Sequence, residues 1–563
     1  MQSRISSWFW KSFLALALVA TALAAAQAQD LKSFEQKTTT KVLPNGLTLI
    51  ICERPEAPVF SYSTFVDAGA VNDPSGESGL AHMFEHLAFK GTSEIGTKDY
   101  ADEKIALAKV ETANDAYEIV WHKVVGNDWV KAQALAAARA EYQSMTQKAA
   151  SGDKQNLSSA LEAANDVYQS KLAKIIGHDP AEYRKLEADF DQAIDEAHKF
   201  VIPNQFTDIA ERNGAEGLNA ETALDETMFF WSMPENRLEL WAYLESSRLA
   251  DTVPREFYKE RDVVIEERRM RTDSNPEGRL FEQFAATAYV AQNYRRSDIG
   301  WPSEVSQINA TEAMEFHKKY YVGANIVVAV VGDVKASDAL PLLEKYFSKV
   351  PGGPKPEEMT TVEPKQFAEK TVAVREATQP IYVEGYHRPD YRDPDDAVYD
   401  AISDIMSNGR VSRLYRSLVR DQQIAAVAVG FGHYPGDKYP SLFVFGALPL
   451  PGHSTAEMRD AIHKEIDKLK AADVSDEELA MYKTRTRADL LRGLADNQGL
   501  ANSLAEYQTR YGDWRELFRQ LDRVDKVSKA DIRRVANQVF VDSNRTEAWI
   551  ETETPAKKDG GAQ

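Results

Sequence analysis

Glu77-Ser-Gly-Leu-Ala-His82-Met-Phe-Glu85-His86-Leu-Ala-Phe-Lys90 is the stretch from which the rest of the chain can be read. Leu80, Met83, Phe84 and Leu87 recur at i, i+3, i+4 and i+7, the spacing of one apolar stripe on a helix facing a core. At roughly 100° per residue, His82, Glu85 and His86 project together from the opposite face. Histidines one helical turn apart can both bind one Zn²⁺ through ring nitrogens at ~2.0–2.1 Å, and zinc is the commonest metal at such a site. Glu85 shares that face without being needed as a ligand, so it is placed to take a proton from a metal-activated water. No other two of the ten histidines lie within four residues of each other.

A catalytic zinc takes a third protein ligand and keeps one position open. The candidate stretch is Phe257-Tyr-Lys-Glu260-Arg-Asp-Val-Val-Ile-Glu266-Glu267-Arg268. Glu260 and Glu267 are two helical turns apart, and the spacing predicts that they share a face with Val263 and Val264. Carboxylates in an apolar stripe are costly unless a cation or hydrogen bonds compensate them. A metal at Glu267, with Glu260 behind it orienting a ligand, removes the difficulty. Spacing alone leaves open the alternative of a Glu-rich, solvated helix.

Outward from these helices, the chain reads as two similar halves. Thr40 to Ile51 and Val59 to Val66 are strand-like, and Asn45-Gly46 between apolar runs is a hairpin signal. Asn325-Ile-Val-Val-Ala-Val-Val-Gly332 is a buried strand with a glycine stop. Asn309-Ala-Thr-Glu312 and Ser528-Lys-Ala-Asp531 both have capping-box spacing. Asn325 and Asn544 each follow an aromatic residue, Tyr321 and Phe540, by four. Both sets are offset by 219 residues (528 − 309 and 544 − 325), which predicts an internal duplication. The first half is expected over 29–350, a solvated linker over 351–370, the second half over 371–552, and a disordered tail over 553–563. Residues 99–201, rich in Ala, Glu, Lys and Gln, predict three or four helical segments inserted in the first half. They could form a lid, a docking arm or a decoration without chemistry.

The beginning reads as an address. Arg4 and Lys11 flank the apolar run from Ser12 to Ala26, and Ala26-Gln27-Ala28 is a small-x-small cleavage site. A signal peptide over 1–28 and a bacterial periplasmic location are therefore expected. The lone Cys52 excludes an internal disulfide and is expected to be a buried small residue. A formal charge of −20 argues against a nucleic-acid binder. It leaves open plain solubility or an acidic cavity for basic substrates. No stretch after residue 28 is apolar over the ~20 residues a membrane span needs.

The order H-x-x-E-H, then E-R-D-V-V-I-E-E downstream, resembles the inverzincins, the pitrilysin-type zinc peptidases. The resemblance runs from Val42-Leu-Pro-Asn-Gly46 through Gly79–Thr92 to the last strand of the second half, with only 99–201 outside it. It is closest to the short, two-domain branch that includes the mitochondrial processing peptidase β-subunit. It implies an α+β fold of two halves, each a sheet covered by helices, with two such chains enclosing a peptide chamber. It also implies one zinc per chain on His82, His86 and Glu267, Glu85 as general base, and Glu260 behind the ligands.

Gly217-Leu-Asn219-Ala220 matches the segment leading into an edge strand, where a peptide substrate could add as a strand. In one respect the sequence departs from the pattern. Members that work alone carry, in the second half, an Arg and then a Tyr seven residues later, both directed at the bound peptide. Here Arg420 is present but the second position is Val427, which can donate no hydrogen bond. The expectation is a zinc endopeptidase acting as a homodimer, or paired with a homologous metal-free subunit that supplies the clamp. A non-hydrolytic peptide-binding or assembly subunit is the reading from another class.

Overall fold

The computed structural model describes residues 31–151 and 156–553, so the expected signal peptide and residues 554–563 of the expected tail lie outside the described residues. The first sheet contains β1 (Thr38–Val42), β2 (Thr48–Glu53), β3 (Val59–Val66), β4 (Glu216–Thr222), β5 (Thr227–Pro234) and β6 (Ile326–Gly332), in the order β1-β2-β6-β3-β5-β4. Asn45 and Gly46 turn β1 into its antiparallel partner β2, with Val42 opposite Thr48. The second sheet contains β7 (Lys370–Glu376), β8 (Tyr382–Arg388), β9 (Ala425–Phe431), β10 (Ser441–Pro449) and β11 (Arg545–Thr552), in the order β7-β11-β8-β10-β9.

The duplication is explicit in these two orders. Omitting β1, they superimpose strand for strand, with one parallel pair each (β2–β6 and β7–β11) and antiparallel pairs elsewhere. Both predicted capping boxes form, at Asn309 with Glu312 and at Ser528 with Asp531. Asn325 Nδ2 donates to Tyr320 O at 2.9 Å and Asp67 O at 3.3 Å. Asn544 Nδ2 repeats this on Val539 O at 3.0 Å and His387 O at 2.9 Å. In each half one side chain ties the end of a helix to the last strand and to its neighbour, and two N–H donors at one position are what that junction needs.

Each half buries a sheet face of the other. The Pro276–Ala288 helix sets Leu280, Phe284 and Ala288 against Val383, Leu442, Val444, Ala548 and Ile550. In return the Asn497–Tyr511 helix sets Leu500, Leu504 and Ala505 against Ile50, Cys52, Phe65, Val327 and Val331. Cys52 is therefore fully buried, and burial pushes its thiol pKa up.

Four long helices, Tyr100–Val125, Trp129–Ser151, Leu157–Ile176 and Ala181–His198, interrupt the first half. The first packs on the fourth and the second on the third, joined by contacts such as Tyr117 Oη to Tyr183 Oη at 2.8 Å. The stretch read as a solvated linker is largely exposed yet pinned to both halves. Glu363 accepts hydrogen bonds from the amides of Val290, Ala291 and Gln292 at 2.7, 2.9 and 2.9 Å, and Met359 N donates to Tyr439 Oη at 3.1 Å. Glu363 thus serves three loop amides that no regular element satisfies.

Candidate metal centre

The Leu80–Leu87 helix begins at Gly79, whose φ of +97° is left-handed and where a Cβ would lie 2.8 Å from Ile299 O. Asp73 supplies the missing acceptors at that end. Its carboxylate takes hydrogen bonds from Gly79 N at 2.7 Å and Ala81 N at 2.9 Å. Burial nonetheless lifts the Asp73 carboxyl to about 8. Leu80, Met83, Phe84 and Leu87 are all buried, as the stripe predicts, and Phe84 stacks on His317.

On the other side the three residues singled out from sequence converge. His82 Nε2 lies 3.6 Å and His86 Nε2 3.5 Å from Glu267 Oε2, and one ligand atom from each residue falls within 4.8 Å of the others. These separations are long for hydrogen bonds. Ligands held at ~2.0–2.1 Å around a tetrahedral ion stand roughly 3.4 Å apart, so the donor set fits zinc in type and spacing. His86 Nδ1 is 3.4 Å from Glu260 Oε2, whose other oxygen pairs with Lys90 at 2.5 Å. Glu267 Oε1 pairs with Arg271 at 2.6 Å. Sequence reading assigned no role to Lys90 or Arg271. Each lies four residues beyond a singled-out residue (His86 and Glu267), the helical neighbour spacing that could have found them.

The electrostatics divide the two histidines. Burial and the neighbouring His86 push His82 down to about 4. Burial also depresses His86, but the neighbouring Glu260 and Glu267 carboxylates outweigh it and hold His86 at about 9. Burial raises Glu85 above the usual carboxyl range, against a hydrogen bond from Thr222 at the end of β4. The Phe257–Arg268 helix departs from expectation in one residue. Val264 is fully buried but Val263 is 45% exposed. With Glu260 at 0°, Glu267 falls at about −20°, Val264 at about +40° and Val263 at about −60°, so the two valines flank the carboxylates about 100° apart and only the Val264 side meets the core.

Asn219 and Ala220 lie in β4, opposite Phe230 and Phe229 of β5, and β4 is the last strand of its sheet. The Leu80–Leu87 helix packs on that strand. Arg420 is exposed in the π-helical segment Tyr415–Asp421 before β9 and pairs with the adjacent Asp421 at 2.6 Å, while Val427 lies half-exposed in β9, an edge strand of the second sheet.

Residues 49–116, which contain H-x-x-E-H, match the insulinase domain of peptidase family M16, and residues 307–486 match the M16 inactive domain. Zinc protease PqqE of Helicobacter pylori is 30% identical over 365 residues, covering 62% of this chain and 80% of that protein. The chain belongs to peptidase family M16. A probable mitochondrial-processing peptidase subunit beta of Arabidopsis thaliana is 20% identical over 341 residues, covering 58% of this chain and 63% of that one. The crystal structure of a protease from Helicobacter pylori superimposes with a TM-score of 0.68 at 23% identity, over 92% of this M16 chain and 99% of the other, a likeness of fold. Among the described residues no helix is long and apolar enough to cross a membrane.

Proposed function

We propose that this M16 chain is a zinc-dependent endopeptidase that cleaves peptides or unfolded segments, exported to the periplasm by residues 1–28. The observation that carries the reading is the meeting of His82, His86 and Glu267 on one side of the helix that also bears Glu85. Zinc held by those three side chains would polarise the scissile carbonyl and make a bound water more acidic. Glu85, whose carboxyl burial has raised, accepts the proton of the attacking water and passes it to the leaving amine. Glu260 holds the His86 ring through its other nitrogen. The free edge of β4 at Asn219 and Ala220 takes the substrate as an added strand, so backbone hydrogen bonds give broad sequence tolerance.

A second reading rests on Val427 and on Arg420, which is engaged by Asp421. On this view the chain is the catalytic subunit of a heteromer whose homologous, metal-free partner completes the substrate clamp. The test is cleavage of a mixed peptide library by the zinc-loaded mature chain and by Glu85→Gln. Loss of about 10²–10⁴ in rate with zinc retained supports the self-sufficient peptidase. No cleavage by either protein, with zinc bound, favours the heteromer or a non-hydrolytic peptide-binding subunit.

A further inference from the structure

Beyond the one zinc per chain that the resemblance implies, the second half contains another cluster of ligating side chains on the helix-covered face of its sheet. Glu384 of β8 and Glu547 of β11 oppose each other directly across the antiparallel pair. His463 reaches them from the Thr455–Ala471 helix, its Nε2 2.7 Å from Glu384 Oε2. One ligand atom from each of the three lies within 4.8 Å of the others. Glu384 is 0% and Glu547 3% exposed. Like charges directly opposed across strands repel, and burial magnifies the cost.

The protein compensates this only in part. Tyr382 and Tyr386 donate to Glu384 at 2.7 and 3.2 Å. Glu547 Oε1, buried, receives no hydrogen bond, and among the described residues its one cationic partner is Arg545, in an ion pair with Nε at 3.0 Å. The terminal nitrogens of Arg545 are bonded to Glu369 and Asp542 at 2.5 and 3.0 Å. Arg459, one turn before His463, is held by Asp460 at 3.0 Å.

The fold does not require these carboxylates. The 219-residue offset maps Glu547 onto Val328, and Val328 is opposite Thr64 in the first half. There the polar contact above Tyr62 is charge-balanced, with Glu245 accepting from Tyr62 at 2.8 Å and from Arg248 at 2.5 Å. The second half has one carboxylate more, Glu547, which pairs with Arg545, and an imidazole contacts Glu384 where the first half uses a guanidinium.

We infer that Glu384, His463 and Glu547 bind a divalent transition-metal ion of the zinc class. Two carboxylate oxygens and one imidazole nitrogen suit such an ion, and its two charges answer the two carboxylates. The Tyr382 and Tyr386 hydroxyls orient Glu384 from behind. The partly exposed edge of His463 gives the ion a way in. The ion clamps the Thr455–Ala471 helix to β8 and β11, away from the His82–His86–Glu267 cluster, and is independent of whether the chain cleaves peptides.

The full-length mature chain, stripped with chelator, reloaded with excess zinc and desalted, is expected to hold two zinc ions by elemental analysis. His82→Ala and Glu547→Gln should each hold one. Anomalous diffraction at the zinc edge from wild-type crystals should show a peak between Glu384, His463 and Glu547, a readout that needs no variant to fold. One zinc per wild-type chain, unchanged in Glu547→Gln, or an anomalous map with no peak at these residues, overturns the inference.

Discussion

A buried guanidinium ties the helical insertion to the candidate metal centre, and cutting that tie tests what the insertion does. Arg255 is 1% and Glu103, in the first inserted helix, 0% exposed. Arg255 Nε and Nη2 donate to the two Glu103 oxygens at 2.5 and 2.8 Å. Its remaining donors go to Lys90 O at 2.8 Å, Ile95 O at 3.0 Å and Thr92 O at 3.0 Å. All five guanidinium N–H groups are thus used, joining the insertion, the segment after the His86 helix, and the residues leading into the Glu260–Glu267 helix. Removing one partner of a buried pair strands the other charge at about 3–5 kcal/mol. Arg255→Met should sit at the top of that range because three carbonyls also lose their donor. Glu103→Gln should cost less, since an amide oxygen still accepts. At roughly 2 °C per kcal/mol for a large domain, melting temperatures should fall by about 6–10 °C, read by calorimetry. The Glu103→Leu/Arg255→Met double variant should cost clearly less than the sum of the singles. Losses below about 1 kcal/mol, or strict additivity, would refute a load carried by this pair and leave the insertion riding passively on the site.

The same cradle makes Gly96→Ala costly: φ is +90° and a Cβ would lie 2.6 Å from Arg255 Nη1, so we expect a loss of about 1–3 kcal/mol by denaturant titration. Asn325→Ala and Asn544→Ala each remove two side-chain bonds at equivalent junctions. The buried Asn325 should cost about 2–3 kcal/mol and the partly exposed Asn544 about 1, and the reverse order would contradict the burial argument. Glu226 titrates at the junction between the halves, its carboxyl lifted to about 8 by burial against Arg510, with Asp225, Asp437 and Glu506 adding to the rise. A folded pKa above the unfolded value of roughly 4.3 means the native state holds the extra proton, so this group's contribution to stability falls as pH rises from about 4.3 through 8. Between pH 6 and 8 the wild-type melting temperature should drop more than that of Glu226→Gln; parallel profiles would sink the assignment.

Much of the candidate site was legible because its information is local. A 3.6-residue period on Leu80, Met83, Phe84 and Leu87 already fixes where His82, Glu85 and His86 point. The hairpin at Asn45-Gly46, the paired capping boxes and the 219-residue offset are equally short-range, and they led to two like halves before any contact was known. The same period, read too generously, placed Val263 inward beside Val264, an error of one helical position.

What the tertiary structure alone decided depends on atoms brought together across long stretches of chain. Six α-helices and two strands separate the His86 helix from the Glu267 helix, and nothing in spacing says that Glu267 Oε2 should stand 3.5 Å from His86 Nε2. The exchange of covering helices between the halves, the pinning of Glu363 under three loop amides, and the opposition of Glu384 to Glu547 follow from sheet register and helix packing. Periodicity along one element shows which face a side chain occupies. Which partner that face meets is set by how separate elements exclude water together, and only the folded chain contains that.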